Sequence, residues 1–295
     1  MDIGKLIFNS GFCPDSPAFF RFYLRLFSLP ALRRLLPLLR VKFSPDLLEN
    51  IRAARLPVRE KGELFAGAMN FFRSGPTYRT TGEARTPLAD AAIRARLRPG
   101  MLVVEAGVSD GLSAAGLLAN PGGAEVMLTD RQAVFRYRDL GPLRLFYDRD
   151  EGCLSFKLLF FYVCTGVRPG RVPEGAPAIA TLNPAVSEAF GAAAIQVFDV
   201  FSGRLARPAD VIKCANLLNT VYFSPAEIRR ALENLAVNLR EGGLLYLCHS
   251  NAGYADGEAY IALRRAGGTL RIEEERNSHE LSPVLRSGLF RGLTA

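Results

Sequence analysis

The sequence predicts an α/β protein whose mostly parallel sheet carries helices on both faces. The apolar residues 102–104 precede Glu105 and a turn that contains Gly107 and Gly111, which is a strand, turn and helix pattern. Residues 125–130 form a second apolar run that also ends in an acid. Because such runs alternate along the chain with amphipathic stretches, βαβ units and a parallel sheet are expected.

The composition fits a folded protein with a substantial core. The chain has 295 residues, of which 49% are hydrophobic and 22% are charged. Its five cysteines include no C-x-x-C pair and it has two histidines, which argues against a disulfide scaffold and against a bound metal. We therefore expect a cytoplasmic protein, and the late, arginine-studded apolar run near its start does not resemble a secretory signal.

The basic excess lies in the first third of the chain. Residues 1–100 carry 17 Lys/Arg against 8 Asp/Glu, whereas residues 101–295 carry 20 against 21. Such asymmetry favours an acidic partner or surface for the first part. Because 32 of the 37 basic residues are arginine, a composition bias of the genome explains the excess equally well.

Residues 16–40 are rich in phenylalanine and leucine but are interrupted by arginines and prolines. A membrane-spanning helix needs about 20 mainly apolar residues, so we expect two short basic amphipathic helices broken at Pro30. These helices either cap the main domain, which we favour, or lie in a membrane interface with their arginines toward lipid phosphates. We expect residues 1–80 to form the helical cap and residues 81–295 to form the main domain.

The main domain is predicted to contain an insertion over residues 131–190, because this segment is longer than a simple crossover connection between parallel strands needs to be. The insertion includes the apolar run 154–163. We expect this run to form a buried helix or, less favoured, a lid over an apolar substrate. It is too short to span a membrane.

Three more strands are predicted after the insertion. Residues 195–201, which contain Asp199, form the third strand of this prediction. Residues 210–219 hold the fourth strand and the loop that leaves its carboxyl end, and residues 244–250, with His249 near their end, form the fifth strand. Ligands of such sheets bind beyond the carboxyl ends of the strands, so the loop after residue 214 is expected to open into the site.

The helix between the last two of these strands has clear start and stop signals. Ser224 is the expected N-cap, Pro225 occupies the first helical position, and Glu227 completes a capping box. Gly242 and Gly243 are expected to end the helix.

The turn after residues 102–104 is not a dinucleotide-binding fingerprint, because Ser109 and Leu112 stand where such a loop needs glycine. The remaining pattern is E-x-G-x-x-x-G, which begins at Glu105 and ends at Gly111. It resembles motif I of the class I S-adenosylmethionine-dependent methyltransferases.

This resemblance covers about residues 80–295. It implies a Rossmann-like, seven-stranded, mostly parallel sheet with an antiparallel seventh strand, and S-adenosylmethionine as the cofactor. Residues 257–291 suit a last helix and an antiparallel strand pair, with the strands over residues 270–276 and 284–290. In that family the first acid helps to hold the methionine amino group, the second, here Asp130, binds the ribose hydroxyls, and Asp199 matches the position that meets adenine. The cofactor-binding residues that the resemblance implies are Glu105, Gly107, Ser109, Asp110, Gly111, Asp130, Arg131, Asp199, Val200, Asn216 and Leu217.

Residues 210–250 are also similar to the chemotaxis-receptor glutamate methyltransferases. This chain departs from their pattern by two additional residues between Asn216 and Tyr222, and by Ala215 where they have an arginine. The residues that carry the match are Cys214, Asn216, Tyr222, Phe223, Gly242, Gly243, His249 and Ser250.

Asn219, Tyr222 and His249 are the candidate catalytic residues, because they follow the predicted strand ends. Positioning of the nucleophile can supply most of the rate of a methyl transfer, so a base is needed only when the nucleophile keeps its proton. His249 either serves as that base or, as we favour, packs beneath the cofactor or forms local hydrogen bonds.

The Phe- and Leu-rich segments favour a small-molecule or lipid-like acceptor. The alternatives are a protein carboxyl (glutamate) O-methyltransferase and a non-catalytic partner protein with this fold. No D/N-P-P-Y/F sequence follows the fourth strand, so no nucleic-acid substrate is expected. Peripheral membrane contact through the basic N-terminal part, and a homodimer, are further expectations.

Overall fold

The computed structural model describes residues 10–74, 77–148, 152–165, 172–192, 194–287, 290 and 292–293. The chain divides into two compact units. The first unit comprises residues 1–72, 78–80 and 132–189, and the second comprises residues 73–77, 81–131 and 190–295. The N-terminal residues and most of the predicted insertion therefore belong to the same unit.

Nine helices lie within the described ranges. In chain order they are α1 (Pro17–Phe27), α2 (Pro30–Arg33), α3 (Asp46–Ala53), α4 (Val58–Met69), α5 (Pro87–Arg94), α6 (Ala115–Ala119), α7 (Pro184–Phe190), α8 (Pro225–Asn238) and α9 (Ser282–Leu285). Short 3₁₀ segments cover Leu36–Leu39 and Leu112–Ala114.

The strands are numbered in chain order. They are β1 (Ser10–Phe12), β2 (Arg73–Ser74), β3 (Thr77–Tyr78), β4 (Leu102–Ala106), β5 (Glu125–Asp130), β6 (Val134–Leu140), β7 (Leu143–Asp148), β8 (Gly152–Leu158), β9 (Phe161–Cys164), β10 (Ala178–Ala180), β11 (Gln196–Val197), β12 (Ala209–Ala215), β13 (Leu239–Ser250), β14 (Glu258–Ala266) and β15 (Thr269–Arg276).

The second unit is built on a seven-stranded sheet with the order β11-β5-β4-β12-β13-β14-β15. The first five of these strands are parallel, and β14 and β15 each pair antiparallel with their neighbours. The second unit has a Rossmann-like α/β fold. This confirms the predicted seven-stranded, mostly parallel sheet.

Helices cover both faces of this sheet, as predicted. On one face, Leu232 and Leu235 of α8 pack against strand residues that include Ile212. On the other face, Ile93 of α5 and Leu117 of α6 belong to a second apolar cluster. Because alternate residues of a strand point to opposite faces and both faces are covered by helices, the central strands carry buried apolar residues on both sides.

The first unit contains a separate six-stranded antiparallel sheet with the order β1-β9-β8-β7-β6-β10. Helices α1, α3 and α4 share its core. In α1, Phe20 and Tyr23 are buried and form edge-to-face pairs with Phe43 and Phe71. The arginine-studded aromatic stretch is therefore an amphipathic helix whose apolar side packs inside its own unit.

The prediction of a buried helix over residues 154–163 is wrong, because this run forms the hairpin of β8 and β9. Its side chains alternate between faces: Ser155 and Tyr162 are buried, whereas Leu158 and Phe161 are exposed. A continuous apolar run does not distinguish a helix from paired strands, which is why the sequence misled here.

Two further predictions about the C-terminal part are wrong. Helix α8 begins with the predicted capping box, but it ends at Asn238 and not at the glycines, because the chain becomes extended at Leu239 and enters β13 there. The expected last helix is instead strand β14. The strand expected over residues 270–276 is found as β15, but the expected second strand over residues 284–290 is absent from the described residues, where the short helix α9 ends at Leu285. Gly288 and Leu289 lie outside the described residues.

Candidate cofactor and active site

The parallel strands β11, β5, β4, β12 and β13 end at one edge of the sheet in the second unit, here called the carboxyl edge. The residues that mark these strand ends are Asp199, Asp130, Gly107, Asn216 and His249. Ligands of open parallel sheets bind at this edge, where strand ends and loop backbones converge. The predicted site residues thus come from adjacent loops of one sheet.

The turn after β4 has a backbone that few residues tolerate. Gly107, Ser109 and Gly111 have φ values of +76°, +60° and +91°. A Cβ atom at Gly107 would lie 2.7 Å from Cδ2 of Leu217, and the Gly107 N–H donates to the Thr129 carbonyl at 2.8 Å. Glycine is therefore required at position 107 both for the backbone angle and for the close approach of Leu217.

Asp130 ties this turn to the neighbouring strand ends. Its Oδ2 accepts the Ser109 N–H at 2.8 Å, and its carbonyl accepts the Phe198 N–H at 3.0 Å. The side chain is largely buried at the end of β5. The carboxylate is therefore held in a fixed place directly beside the glycine turn.

Asp199 and Arg131 form a looser pair at the edge. Asp199 Oδ1 accepts the Phe201 N–H at 2.9 Å, and Asp199 Oδ2 lies 3.8 Å from Arg131 Nε. Both side chains keep part of their surface exposed, whereas Val200 is buried in the core. Asp199 and Arg131 are thus partly accessible to solvent.

Glu105 lies beneath the turn in a buried ion cluster. Its Oε1 is 3.1 Å from Lys213 Nζ, and Lys213 Nζ is 2.7 Å from Asp90 Oδ1. Burial raises the pKa of Glu105 to about 7, and the negative charge of Asp90 acts in the same direction. One buried ammonium group therefore faces two buried carboxylates.

Asp110 stabilises the glycine turn through hydrogen bonds of its side chain. It is fully buried, and its Oδ1 accepts hydrogen bonds from the Thr81 hydroxyl and, at 3.1 Å, from the Leu112 N–H. The carboxylate therefore caps the 3₁₀ segment that leads into α6.

The loop after β12 is fastened to the end of β13. Asn216 has a φ of +55°, its N–H donates to the Cys248 carbonyl at 2.8 Å, and its Oδ1 accepts the Ser250 N–H at 2.8 Å. Further on, Asn219 Oδ1 accepts the N–H groups of Val221 and Tyr222 at 3.1 Å each. The buried Asn219 side chain therefore stabilises this turn.

His249 has three polar or ionisable neighbours that the sequence did not point out. Its Nδ1 is 3.3 Å from the Tyr254 hydroxyl and 3.4 Å from Glu280 Oε2, and the His279 ring centroid is 6.1 Å away. Burial lowers the pKa of His279 to about 4. A proton on His249 Nδ1 can therefore form hydrogen bonds with the Glu280 carboxylate and the Tyr254 hydroxyl.

Sequence reasoning missed Asp90, Lys213, Tyr254 and Glu280. The sequence did contain a signal for Lys213, because it is the one charged residue inside the apolar run 211–214. In the structure, the parallel register places it opposite Glu105. Glu280 gave none, because it approaches His249 only through the fold of the last segment.

A shallow cavity of about 260 Å³ lies elsewhere in the second unit. Its lining includes Arg229 and Glu233 of α8 and Arg265 near the end of β14. Since β14 is antiparallel to β13, Arg265 lies toward the start of β13 and away from the carboxyl edge. The cavity contains none of the predicted site residues.

No protein-family model and no curated protein sequence matches the chain. Among solved structures, the chain is similar to the S-adenosylmethionine-bound amino pentose methyltransferase CalS10 from Micromonospora echinaspora, at 14% identity over 62% of this chain and 64% of that chain, with a TM-score of 0.31. It is similar to the N-methyltransferase NodS from Bradyrhizobium japonicum, in complex with S-adenosyl-L-homocysteine, at 13% identity over 59% and 67%, with a TM-score of 0.31. It is also similar to an O-methyltransferase family protein from Burkholderia thailandensis, at 15% identity over 70% and 46%, with a TM-score of 0.33.

The matched region spans less than two thirds of CalS10 and less than half of the Burkholderia protein. Among the described residues, no group of three or more His, Cys, Asp or Glu side chains is arranged to hold a metal ion. Within the same residues, no helix has both the length and the apolar character to cross a membrane.

Proposed function

We propose that the second unit binds S-adenosylmethionine at the carboxyl edge of its sheet and transfers the methyl group to a small-molecule or lipid-like acceptor. The observation that carries the proposal is the order of groups along this edge. A glycine turn with three positive φ values follows β4, and acids follow the next two strands outward, Asp130 after β5 and Asp199 after β11.

The residues at this edge fit the cofactor. Glu105 Oε2 is buried and has no hydrogen-bond partner among the described residues, so it is an acceptor for which the amino group of a bound methionine moiety would be a donor. Gly107 allows the sharp backbone turn with a φ of +76°, and Asp130 is fixed beside it. Asp130 would accept from the ribose hydroxyls and Asp199 from the adenine amino group.

S-adenosylmethionine supplies an activated methyl group together with its leaving group. The task of the chain is then to bind, to exclude water and to orient the acceptor. The loop after β12 would form one wall of the acceptor site, because Asn216 fastens it to Ser250 and Asn219 fixes the turn that presents Tyr222.

His249 is the residue that we assign to proton removal. Its Nδ1 faces Glu280 and Tyr254, which favours a proton on Nδ1 and leaves Nε2 to accept a proton from a hydroxyl or ammonium acceptor. The carboxylate of Glu280 would stabilise the imidazolium that results.

Incubation of the full chain with labelled-methyl S-adenosylmethionine and a fractionated cell extract tests the acceptor class. We expect label in the small-molecule or lipid fraction. We expect His249→Asn to lower the rate about 10²–10⁴-fold, the usual contribution of a general base. Glu233→Gln, a change on the exposed side of α8, is the matched control and should leave the rate unchanged. Label only in protein bands would favour a protein carboxyl methyltransferase instead.

A further inference from the structure

A row of apolar side chains crosses one end of the antiparallel sheet in the first unit. The strand register pairs Phe12 with Phe161, Phe161 with Leu158, Leu158 with Leu143, and Leu143 with Leu140. Residues that face each other in register share one face of a sheet, so these five side chains point the same way. The next row along the strands belongs to the opposite face and includes the buried Tyr162.

The row ends in two adjoining hairpin tips. The tip between β6 and β7 is residues 140–143, and the tip between β8 and β9 is residues 158–161, of which Leu159 and Phe160 form the turn. The Leu159 N–H donates to the Pro142 carbonyl at 3.3 Å, which holds the two tips together. The name tip patch is used below for Phe12, Leu140, Leu158, Leu159, Phe160 and Phe161.

Every side chain of the tip patch is strongly exposed, with values between 43% and 63%. Single exposed apolar residues are ordinary, but a contiguous group of four leucine or phenylalanine residues in one turn is not. Leu159 also has a φ of +53°, where glycine or asparagine is the usual choice. Leucine therefore carries a conformational cost at this position.

The charge of the first unit indicates what the tip patch contacts. This unit carries 19 Lys/Arg against 12 Asp/Glu, which accounts for seven of the eight net positive charges of the chain. The two tips themselves contain no acidic residue. Arg138 lies two residues before Leu140 on the same face of β6, and the Lys42 N–H donates to the Phe12 carbonyl at 2.8 Å.

We propose that the first unit docks on an anionic membrane surface by inserting the tip patch between lipids. Phenylalanine and leucine side chains enter the interface, and basic residues such as Arg138 and Lys42 remain at the level of the lipid phosphates. The tip patch is exposed, whereas the aromatic side of α1 is packed inside the unit. The inference is independent of methyl transfer, because it uses only the first unit.

The chain has no tryptophan, so a single tryptophan can report on each surface. Phe160→Trp places the probe in the tip patch, and Phe22→Trp places it on an exposed position of α1 in the same unit. With vesicles of phosphatidylcholine and phosphatidylglycerol, we expect the Phe160→Trp emission to shift to the blue and to be quenched by brominated acyl chains. The Phe22→Trp emission should do neither.

Vesicle sedimentation of the full chain provides the second measurement. We expect binding to mixed anionic vesicles, weakening with added salt, and little binding to pure phosphatidylcholine. Leu159→Ser combined with Phe160→Ser should lower the bound fraction at least about tenfold, as expected for two large apolar side chains withdrawn from the interface. The matched control combines Leu39→Ser with Phe22→Ser, which removes residues of the same types and of similar exposure.

The proposal is overturned if the wild-type chain does not sediment with anionic vesicles, or if the control pair lowers binding as much as the tip pair. It is also overturned if the tip substitutions change only the oligomeric state measured by light scattering, since the tip patch would then bind a second copy of the chain. Equal thermal melting curves for the variants show that the comparison concerns folded protein.

Discussion

Lys213 Nζ lies 3.1 Å from Glu105 Oε1, and neither side chain is more than 1% exposed. The contact joins neighbouring strands directly beneath the glycine turn, because the parallel register sets Lys213 opposite Glu105. Asp90 on α5 completes the cluster at 2.7 Å from the same ammonium group. The acid that precedes the glycine turn is thus positioned by a buried cation.

Replacement of the lysine should be costly. We expect Lys213→Met to lower the free energy of unfolding by about 3–5 kcal/mol, because it leaves two buried carboxylates without a cation. Urea denaturation measures the change. Arg229→Met is the matched control, since it removes the cation of the exposed pair with Glu233 and should cost less than about 1 kcal/mol. Equal effects of the two substitutions would contradict a structural role for the buried cluster.

The contact between Gly107 and Leu217 predicts a site-specific effect of an added methyl group. Gly107→Ala meets both a φ of +76° and a Cβ contact of 2.7 Å, whereas Gly242 has the same φ and open space around it. We expect Gly242→Ala to cost about 1–2 kcal/mol for the backbone alone. Gly107→Ala should cost more, and Leu217→Ala in the same chain should recover the difference.

Thermal or urea denaturation of the two alanine variants, and of the combined variant, measures these costs. A Gly107→Ala chain as stable as Gly242→Ala would show that Leu217 does not press on the turn.

His279 should make stability depend on acid pH. Its folded pKa is lowered to about 4, below the value of about 6.5 for a histidine in the unfolded chain. As the pH falls from 6.5 toward 4, the unfolded state takes up the proton first, so the folded state loses stability by up to about 1.4 kcal/mol per pH unit. Above pH 6.5 the folded protein loses no stability through His279.

We expect His279→Asn to remove this part of the pH dependence, since asparagine can still accept the Leu281 N–H that now binds His279 Nδ1. Urea denaturation at a series of pH values tests it. His249→Asn changes the other, less buried histidine and should keep most of the slope. A slope unchanged in His279→Asn would contradict the account.

The parts of the fold that sequence could predict are those fixed by local pattern. The strand and turn around Gly107 and the capping box of α8 depend on neighbouring residues, and both are found as predicted. The antiparallel sheet of the first unit was missed, because the pairing of β8 with β9 is hidden inside one continuous apolar run. Strand β14 was missed because it pairs with β13 through contacts between segments, which outweigh local propensity, whereas β15 lies where a strand was predicted.

The residues of the candidate site also fall into those with a local sequence signal and those without one. The acids at the ends of β5 and β11 follow from their place after apolar runs, and the structure puts them at one edge. Partners that come from distant segments, such as Glu280 beside His249, depend on tertiary packing and leave no local signal. The cofactor role of each residue, and the resemblance to chemotaxis-receptor methyltransferases, stay predictions.

The central claim is that S-adenosylmethionine binds at the carboxyl edge. Calorimetric titration of the full chain with S-adenosylhomocysteine tests it most directly, with Glu233→Ala as the control acid on the exposed side of α8. The account predicts saturable binding that Asp130→Ala weakens by about 1–3 kcal/mol, through loss of a buried charged acceptor, and that Glu233→Ala leaves unchanged. No binding to the wild-type chain at millimolar ligand, or equal weakening by the two substitutions, would contradict it.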